Sequence, residues 1–270
     1  MCSQLRESRM SEVIEVSLND DIAQVDFNRP ERYNAFDLDT ISILATHLLE
    51  LAANPEILGI VISGNGKAFC TGGDVKWMNE YPDGLAAALH LLAGRFHHAV
   101  LEIRRMNKPV IAAINGIAAG GGFSLALACD FRIMSQSSTL WCVYPSRGLC
   151  IDGGGTFTLP RIVGLARALE IAAFDNPITS EQALQWGLVT KVVEDGQTKD
   201  TALRMAQDLC NQSLHTFGLS KQLLTDSFDN TFERQLEWER TGLCRAGAHP
   251  HGIEGVRSFV EKRNPIFMNK

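Results

Sequence analysis

At 270 residues the chain is long enough for one large domain or a domain with a smaller appendage. Hydrophobic residues make up 45% and charged residues 21%, an ordinary globular composition, and a net charge of −6 argues against a nucleic-acid partner. The seven cysteines are an odd number without a Cys-x-x-Cys pair, which argues against a disulfide framework or a zinc site and for reduced thiols in a cytoplasmic compartment. Cys70, Cys129, Cys142 and Cys150 lie in apolar or glycine-rich surroundings and are expected to act as small hydrophobes. The first ten residues are polar, so no secretory leader is expected, and Met10 is an alternative start to Met1.

Along the chain, residues 13–18 and 22–27 alternate apolar with polar around Asn19-Asp20-Asp21 and predict a hairpin with one buried face. Asp37 is a suitable N-cap for a helix over 38–53, and a strand is expected at 57–63. A glycine-bearing loop, 64–74, then leads into a helical turn at 75–79, and a long helix over 85–106 delivers the chain to Pro109. The run after Pro109 is a buried strand broken by Asn115-Gly116, followed by Gly120-Gly121-Gly122 and a short buried helix over 123–128. Its apolar length approaches that of a membrane span, but Asn115 and the glycines interrupt it, so no membrane association is expected. Further strands are expected at 131–134, 139–143 and 188–193, with helices at 157–163, 165–173 and 183–186, the last capped from Thr179. From about residue 198 the pattern is helical, through 212, 214–228, 232–245 and 252–262. The fold class is therefore α/β, with a core over 1–195 and an all-helical region over 196–270.

The two strand–glycine–helix units hold the chemistry. A glycine run ahead of a helix leaves backbone N–H groups unpaired at the positive end of the helix dipole, where negative charge is favoured. Tight strand–helix packing also selects glycine, so this feature alone leaves both readings open. Neither loop has Walker A or dinucleotide-fingerprint spacing.

Taken together, Ala68-Phe69-Cys70-x-Gly72-Gly73-Asp74 and Ala113-Ile114-Asn115-Gly116-x-Ala118-x-Gly120-Gly121-Gly122 resemble the crotonase, or enoyl-CoA hydratase/isomerase, superfamily. The resemblance extends to Asn28-Arg29-Pro30 with Asn34-Ala35, to Ala183-x-x-Trp186-Gly187-Leu188-Val189, and to Glu254-Gly255-Val256-x-x-Phe259-x-Glu261-Lys262-Arg263. It implies a spiral of ββα turns, a helical C-terminal trimerisation region, assembly as a homotrimer or dimer of trimers, and acyl-CoA thioester substrates. It also implies that Gly73 and Gly121 supply the two N–H donors of an oxyanion hole, worth about 3–4 kcal/mol each. Ala68, Asp74, Val75 and Lys76 correspond to the CoA-binding turn, and Phe259 and Lys262 to contacts lent by a neighbouring subunit. No metal or redox cofactor is implied; coenzyme A enters only as part of the substrate.

The departures from the family narrow the reaction. Family hydratases carry glutamates where this chain has Ser124 and Tyr144, so paired-carboxylate hydration is not expected, and both residues are expected to line the acyl pocket. Asp152 corresponds to the catalytic aspartate of dienoyl-CoA isomerases, ring-epoxide isomerases of phenylacetyl-CoA catabolism and chlorobenzoyl-CoA dehalogenases. An apolar loop is expected to desolvate it and strengthen it as a base; as an alternative it caps the helix beginning near Gly154. His97 corresponds to the water-activating histidine of the dehalogenases. The expected activity is an acyl-CoA isomerase with Asp152 as proton shuttle. The alternatives are dehalogenase- or hydrolase-like chemistry through Asp152 and His97, an atypical hydratase, or a non-catalytic CoA-binding homologue. Pocket volume is expected to depend on residues 81–90.

Overall fold

The hairpin at the start of the chain forms as its alternation demands. In the structure, a computed structural model describing residues 13–269, β1 (Ile14–Asn19) and β2 (Ile22–Phe27) pair antiparallel with Ile14 opposite Phe27. Cys2 and Met10 lie outside the described residues. β1 buries only Ile14, as suits an edge strand, whereas β2 is buried nearly throughout. Asp37 caps α1 (Leu38–Ala53) by accepting the N–H of Thr40, over the helix bounds expected from the sequence.

Three units of similar design follow. The first runs β3 (Gly59–Gly64), β4 (Ala68–Cys70), α2 (Val75–Asn79) and α3 (Leu85–Arg105). The second is β5 (Val110–Ile114), β6 (Ile117–Ala119) and α4 (Gly121–Ala128), and the third β7 (Phe131–Ser135), β8 (Thr139–Trp141) and α5 (Gly155–Phe174). Each unit places its first strand in a larger sheet, where it extends the run β1-β2-β3-β5-β7, and its second in a smaller sheet, in the run β4-β6-β8. Within each sheet these strands run parallel, so the chain climbs as a spiral of ββα turns. The smaller sheet is completed by β9 (Ile178–Thr179). After α6 (Ser180–Gln185), β10 (Lys191–Val193) closes the larger one beside β7. The strand expected at 188–193 is shortened because the N–H groups of Leu188 and Val189 both turn back to the carbonyl of Ala183. The two helices expected at 157–163 and 165–173 are the two halves of α5, separated by Gly164, whose backbone (φ 76°, ψ 159°) is not helical.

The central strands β3 and β5 are almost continuously apolar, with Ser63 as the exception, because both faces of the sheet are covered. Ile60, Ile62, Val110, Ala112 and Ile114 face the main core, while Val61, Ile111, Ala113 and Ile133 face a second layer that includes Ala202 and Ala206. Those two alanines belong to α7 (Thr198–Cys210), so the first helix beyond residue 195 closes the outer face of the sheet. The chain ends in α8 (Leu214–Asp226), α9 (Phe232–Ala248) and α10 (Pro250–Val260). α8 is tied to the core by Lys221, whose Nζ donates to the carbonyl of Ile103 at 2.7 Å and sits 2.8 Å from Asp130 Oδ2. Burial pushes the Asp130 carboxyl up, and Lys221 opposes that shift. α9, by contrast, buries only Gly242 in the isolated chain and leaves Phe232 73% and Leu243 75% exposed.

Cys70, Cys129 and Cys142 are buried, and burial pushes the first two thiols up to about 12. Cys150 departs from the sequence expectation: it is exposed. Among the described residues no helix is long and apolar enough to cross a membrane.

Candidate active site

The site begins with Arg29, which links the caps of two helices. Its Nη1 lies 3.0 Å from Asp37, the cap of α1, and its Nη2 3.4 Å from Asp74, the cap of α2. Asp74 accepts the N–H groups of Lys76 and Trp77. Asn34, fully buried, donates to the carbonyls of Asn65 and Ala68 and accepts the N–H of Arg29. The early Asn-Arg-Pro…Asn-Ala motif thus fixes the shape of the first glycine loop. Asp74 and the carbonyl of Ala68, expected at the CoA turn, are engaged in that scaffold.

Phe36 forms a parallel bridge with Gly73, donating to the carbonyl of Gly72 at 2.8 Å and accepting the N–H of Asp74 at 2.8 Å. That pattern uses the residues on either side of Gly73 and leaves the Gly73 N–H without a backbone acceptor among the described residues. In the second loop Gly120 stands at the N-cap with φ 51°, and Gly121 is the first residue of α4, where an N–H has no intrahelical partner. The two loops touch backbone to backbone. A Cβ on Gly72 (φ 84°) would sit 2.5 Å from the Gly121 nitrogen, and one on Gly122 would sit 1.9 Å from the carbonyl oxygen of Cys70. Close approach as well as dihedral freedom therefore demands glycine here, and it brings the Gly73 and Gly121 amides to one side of one cleft.

That cleft is open to solvent and holds about 600 Å³ of space, the solvent at its mouth included. Phe36, Met78, Leu92 and Phe96 supply much of an apolar wall, and Gly73, Gly121, Tyr144 and Asp152 line it as well. Leu92 and Phe96 follow Leu89 on one stripe of α3, a helical periodicity visible in the sequence. Of the segment 81–90, expected to set the pocket volume, only Leu89 reaches the wall; the Tyr81 ring packs on Trp77 instead, 5.1 Å between centroids.

Asp152 does not cap α5. Gly154 holds the N-cap with φ 77° and no side-chain cap bond, and the Asp152 side chain turns toward the cleft. Nor is the carboxylate desolvated as expected. Its side chain is 33% exposed, and Oδ1 accepts the N–H of Gly153 and lies 2.5 Å from His97 Nε2. Oδ2 has no partner among the described residues. His97 reaches the cleft only through this contact; its own ring borders an adjacent groove with Val100, Leu101 and Phe157.

Tyr144 lines the cleft. Burial pushes its phenol well above the ordinary tyrosine range, and the charge of Asp152 adds to the shift. It remains a protonated hydrogen-bond donor and no base. Ser124, expected on the pocket wall, lies behind it: the residue is fully buried and its Oγ completes no hydrogen bond among the described residues. A Cβ on Gly155 would come within 2.7 Å of that oxygen, which explains both the glycine and the burial. Val75 is exposed and lines the cleft, and Lys76 is exposed 4.0 Å from Glu80. Phe259, 84% exposed, and Lys262 stand at the end of α10 and line no part of this cleft in the single chain. Two lining residues, Val143 and Arg147, were not expected at the site: the strand expected over 139–143 ends at Trp141, and both residues lie in the loop and turn beyond it.

Comparison with known families resolves what this geometry belongs to. The family model for enoyl-CoA hydratase/isomerase matches residues 17–270. The chain belongs to the enoyl-CoA hydratase/isomerase family. Among curated relatives, it is 36% identical to a 1,2-epoxyphenylacetyl-CoA isomerase of Escherichia coli K12 over 97% of this chain and 100% of that protein. It is 30% identical to a 4-chlorobenzoyl coenzyme A dehalogenase of an Arthrobacter species over 92% of this chain and 91% of that one. Among solved structures, an enoyl-CoA hydratase from Polaromonas sp. JS666 superposes with a TM-score of 0.87 at 33% identity, covering 94% and 99% of the two chains. The family assignment accounts for the spiral fold and for a cleft that combines two unpaired amides with a narrow apolar wall.

Proposed function

We propose that the protein is an acyl-CoA isomerase that moves a double bond from the 3-enoyl to the 2-enoyl position, or opens a related ring epoxide. The observation that carries this reading is the make-up of the cleft: Asp152 is the one carboxylate on its wall among the described residues, and it shares that wall with two unpaired glycine amides. The thioester oxygen would accept from Gly73 and Gly121, drawing electron density from the α-carbon and making its proton acidic. Asp152 Oδ2, free of other partners, takes that proton. The resulting enolate is held by the two N–H groups at about 3–4 kcal/mol each, and the same carboxyl returns the proton at the remote carbon. One carboxyl performs both transfers, and a second one to activate water is not needed. Tyr144, held protonated by burial, donates to the substrate side of the cleft.

Coenzyme A enters as part of the substrate, with Val75 and Lys76 near the mouth and Phe259 and Lys262 supplied by a neighbouring subunit of a homotrimer or dimer of trimers. The apolar face left open on α9 and α10 suits such an assembly. Asp152 and His97 also support a second reading. Their 2.5 Å contact is the arrangement that nucleophilic attack by Asp152, followed by His97-assisted hydrolysis, would use. Incubation with 3-enoyl-, 2-enoyl- and aryl-CoA thioesters in deuterated water separates these readings. Double-bond migration with α-deuterium exchange and no hydrated product is expected; release of a hydroxylated or dehalogenated thioester would replace the isomerase reading with the hydrolytic one.

A further inference from the structure

Tyr144 reaches the cleft from a strained piece of backbone. The residue before it, Val143, holds φ 63°, a left-handed conformation that a β-branched side chain rarely adopts. Both residues line the cleft. Were Val143 to relax to negative φ, the chain beyond it would swing and carry the Tyr144 ring away from its place on the wall.

The restraint comes from the far end of α5. Asp175, the C-cap of that helix, turns its carboxylate onto the turn: Oδ1 accepts the N–H of Val143 at 2.5 Å and Oδ2 that of Ser146 at 3.3 Å. The two carboxylate oxygens thus hold the chain on either side of Tyr144. Ser146 Oγ donates to the Val143 carbonyl at 3.0 Å, and Trp141 Nε1 donates to the Asp175 carbonyl at 2.8 Å, which ties down the backbone of the brace itself. In front, the Tyr144 carbonyl accepts the N–H groups of Arg147 and Leu149, both at 3.0 Å.

Asp175 has no local reason to be an acid. A negative charge at a helix C-terminus runs against the helix dipole, and the groups that answer this carboxylate belong to the turn. A charge-assisted bond to the Val143 N–H is what offsets the strain at that residue. Asp175 lines no part of the cleft, so any effect it has on the reaction passes through the residues it holds. We infer that Asp175 is the positioning residue of this site, fixing the Tyr144 hydroxyl in the cleft from behind the wall. The inference rests on the reading of Tyr144 as a donor to the thioester substrate, and it assigns the residue on which that donor depends.

Asp175→Gly keeps the left-handed cap (φ 50°) and the carbonyl that Trp141 uses while deleting both acceptors. Turnover of the enoyl-CoA substrate should fall by about 10- to 100-fold, the scale of a displacement of about 1 Å at a reacting group. KM should stay within about threefold of the wild type, and Asp175→Asn, which keeps an acceptor for Val143, should recover most of the loss. Added to Tyr144→Phe, Asp175→Gly should slow turnover by no more than about twofold, because the residue it acts through is already disabled. Losses that multiply, or a folded Asp175→Gly protein with wild-type turnover, overturn the inference. If Asp175→Gly does not fold, Ser146→Ala, at an exposed position, takes its place in the cycle under the same criteria. A second reading needs no reaction: with 3-fluorotyrosine at the three tyrosines, the Tyr144 fluorine resonance, assigned by its loss in Tyr144→Phe, should move in Asp175→Gly toward that of the exposed Tyr33. An unmoved resonance also overturns the inference, whereas failure of the isomerase reading shows in the enoyl-CoA incubation and leaves this resonance test in force.

Discussion

Replacing Asp152 with asparagine separates the two halves of that side chain. Oδ1 is occupied by Gly153 and His97, and an amide oxygen can keep those contacts. Oδ2, the free proton acceptor, becomes an NH₂ group that cannot take a proton. The side chain is one-third exposed and its histidine partner half exposed, so folding stability should change by no more than about 1 kcal/mol. Turnover should fall by about 10² to 10⁴, the loss expected for a general base, or roughly 3–5 kcal/mol of barrier. Absorbance of the conjugated 2-enoyl thioester follows the reaction, and titration with a non-reactive saturated thioester checks that affinity stays within about twofold of the wild type. A folded Asp152→Asn protein with full activity, together with loss of activity in Tyr144→Phe, would transfer the base role to the phenol. A covalent adduct at Asp152 accumulating in His97→Gln, read by mass spectrometry, would establish the nucleophilic reading instead.

Proline suits the first position of α4, so Gly121→Pro removes one N–H with modest backbone cost; since a Cβ there would sit 2.7 Å from Phe36 Cζ, it is best paired with Phe36→Leu. Turnover relative to Phe36→Leu alone should drop by at least about 100-fold, and near-normal turnover in a folded protein would remove Gly121 from the oxyanion hole. Lys221→Met leaves Asp130 buried without its cation and should destabilise the fold by about 3–5 kcal/mol, read from the denaturation midpoint; an unchanged midpoint would mean the pair does not anchor α8. Sedimentation at micromolar concentration should give trimers or hexamers, and a stable monomer would also remove Phe259 and Lys262 from the site. If those two residues complete it, Phe259→Ala should weaken CoA-thioester binding by about tenfold through lost stacking while leaving the oligomer intact; unchanged affinity would refute its role.

Much of this was legible wherever a local signal existed. Asp37 announces α1 because an N-cap carboxylate acts on the next three residues, and α2 starts at Val75 because Asp74 does the same. The glycine loops were legible because close backbone approach leaves no other residue type. Of the small sheet only β8 was, inside the strand expected at 139–143; β4 and β6 are three residues each, too short to carry a period. The environment of Asp152 was misjudged because its partner His97 lies 55 residues away, on a helix whose rotation the sequence does not fix. Arg147 went unnoticed for the same kind of reason, since the brace that holds its turn comes from Asp175, beyond the whole of α5.

The contact between the two glycine loops limits how this enzyme can diverge. Its paired donors are main-chain atoms, and their separation is set by covalent geometry and by backbone packing that admits no Cβ. No exchange of side chains can re-aim one donor relative to the other without parting the loops. Under the proposed function, the half of the site that holds the thioester oxygen is thus a fixed gauge, indifferent to the acyl group. New chemistry has to be written in the side chains beside it, at positions 144 and 152, where a single substitution changes a proton donor, a proton acceptor or a nucleophile while the gauge stays as it was.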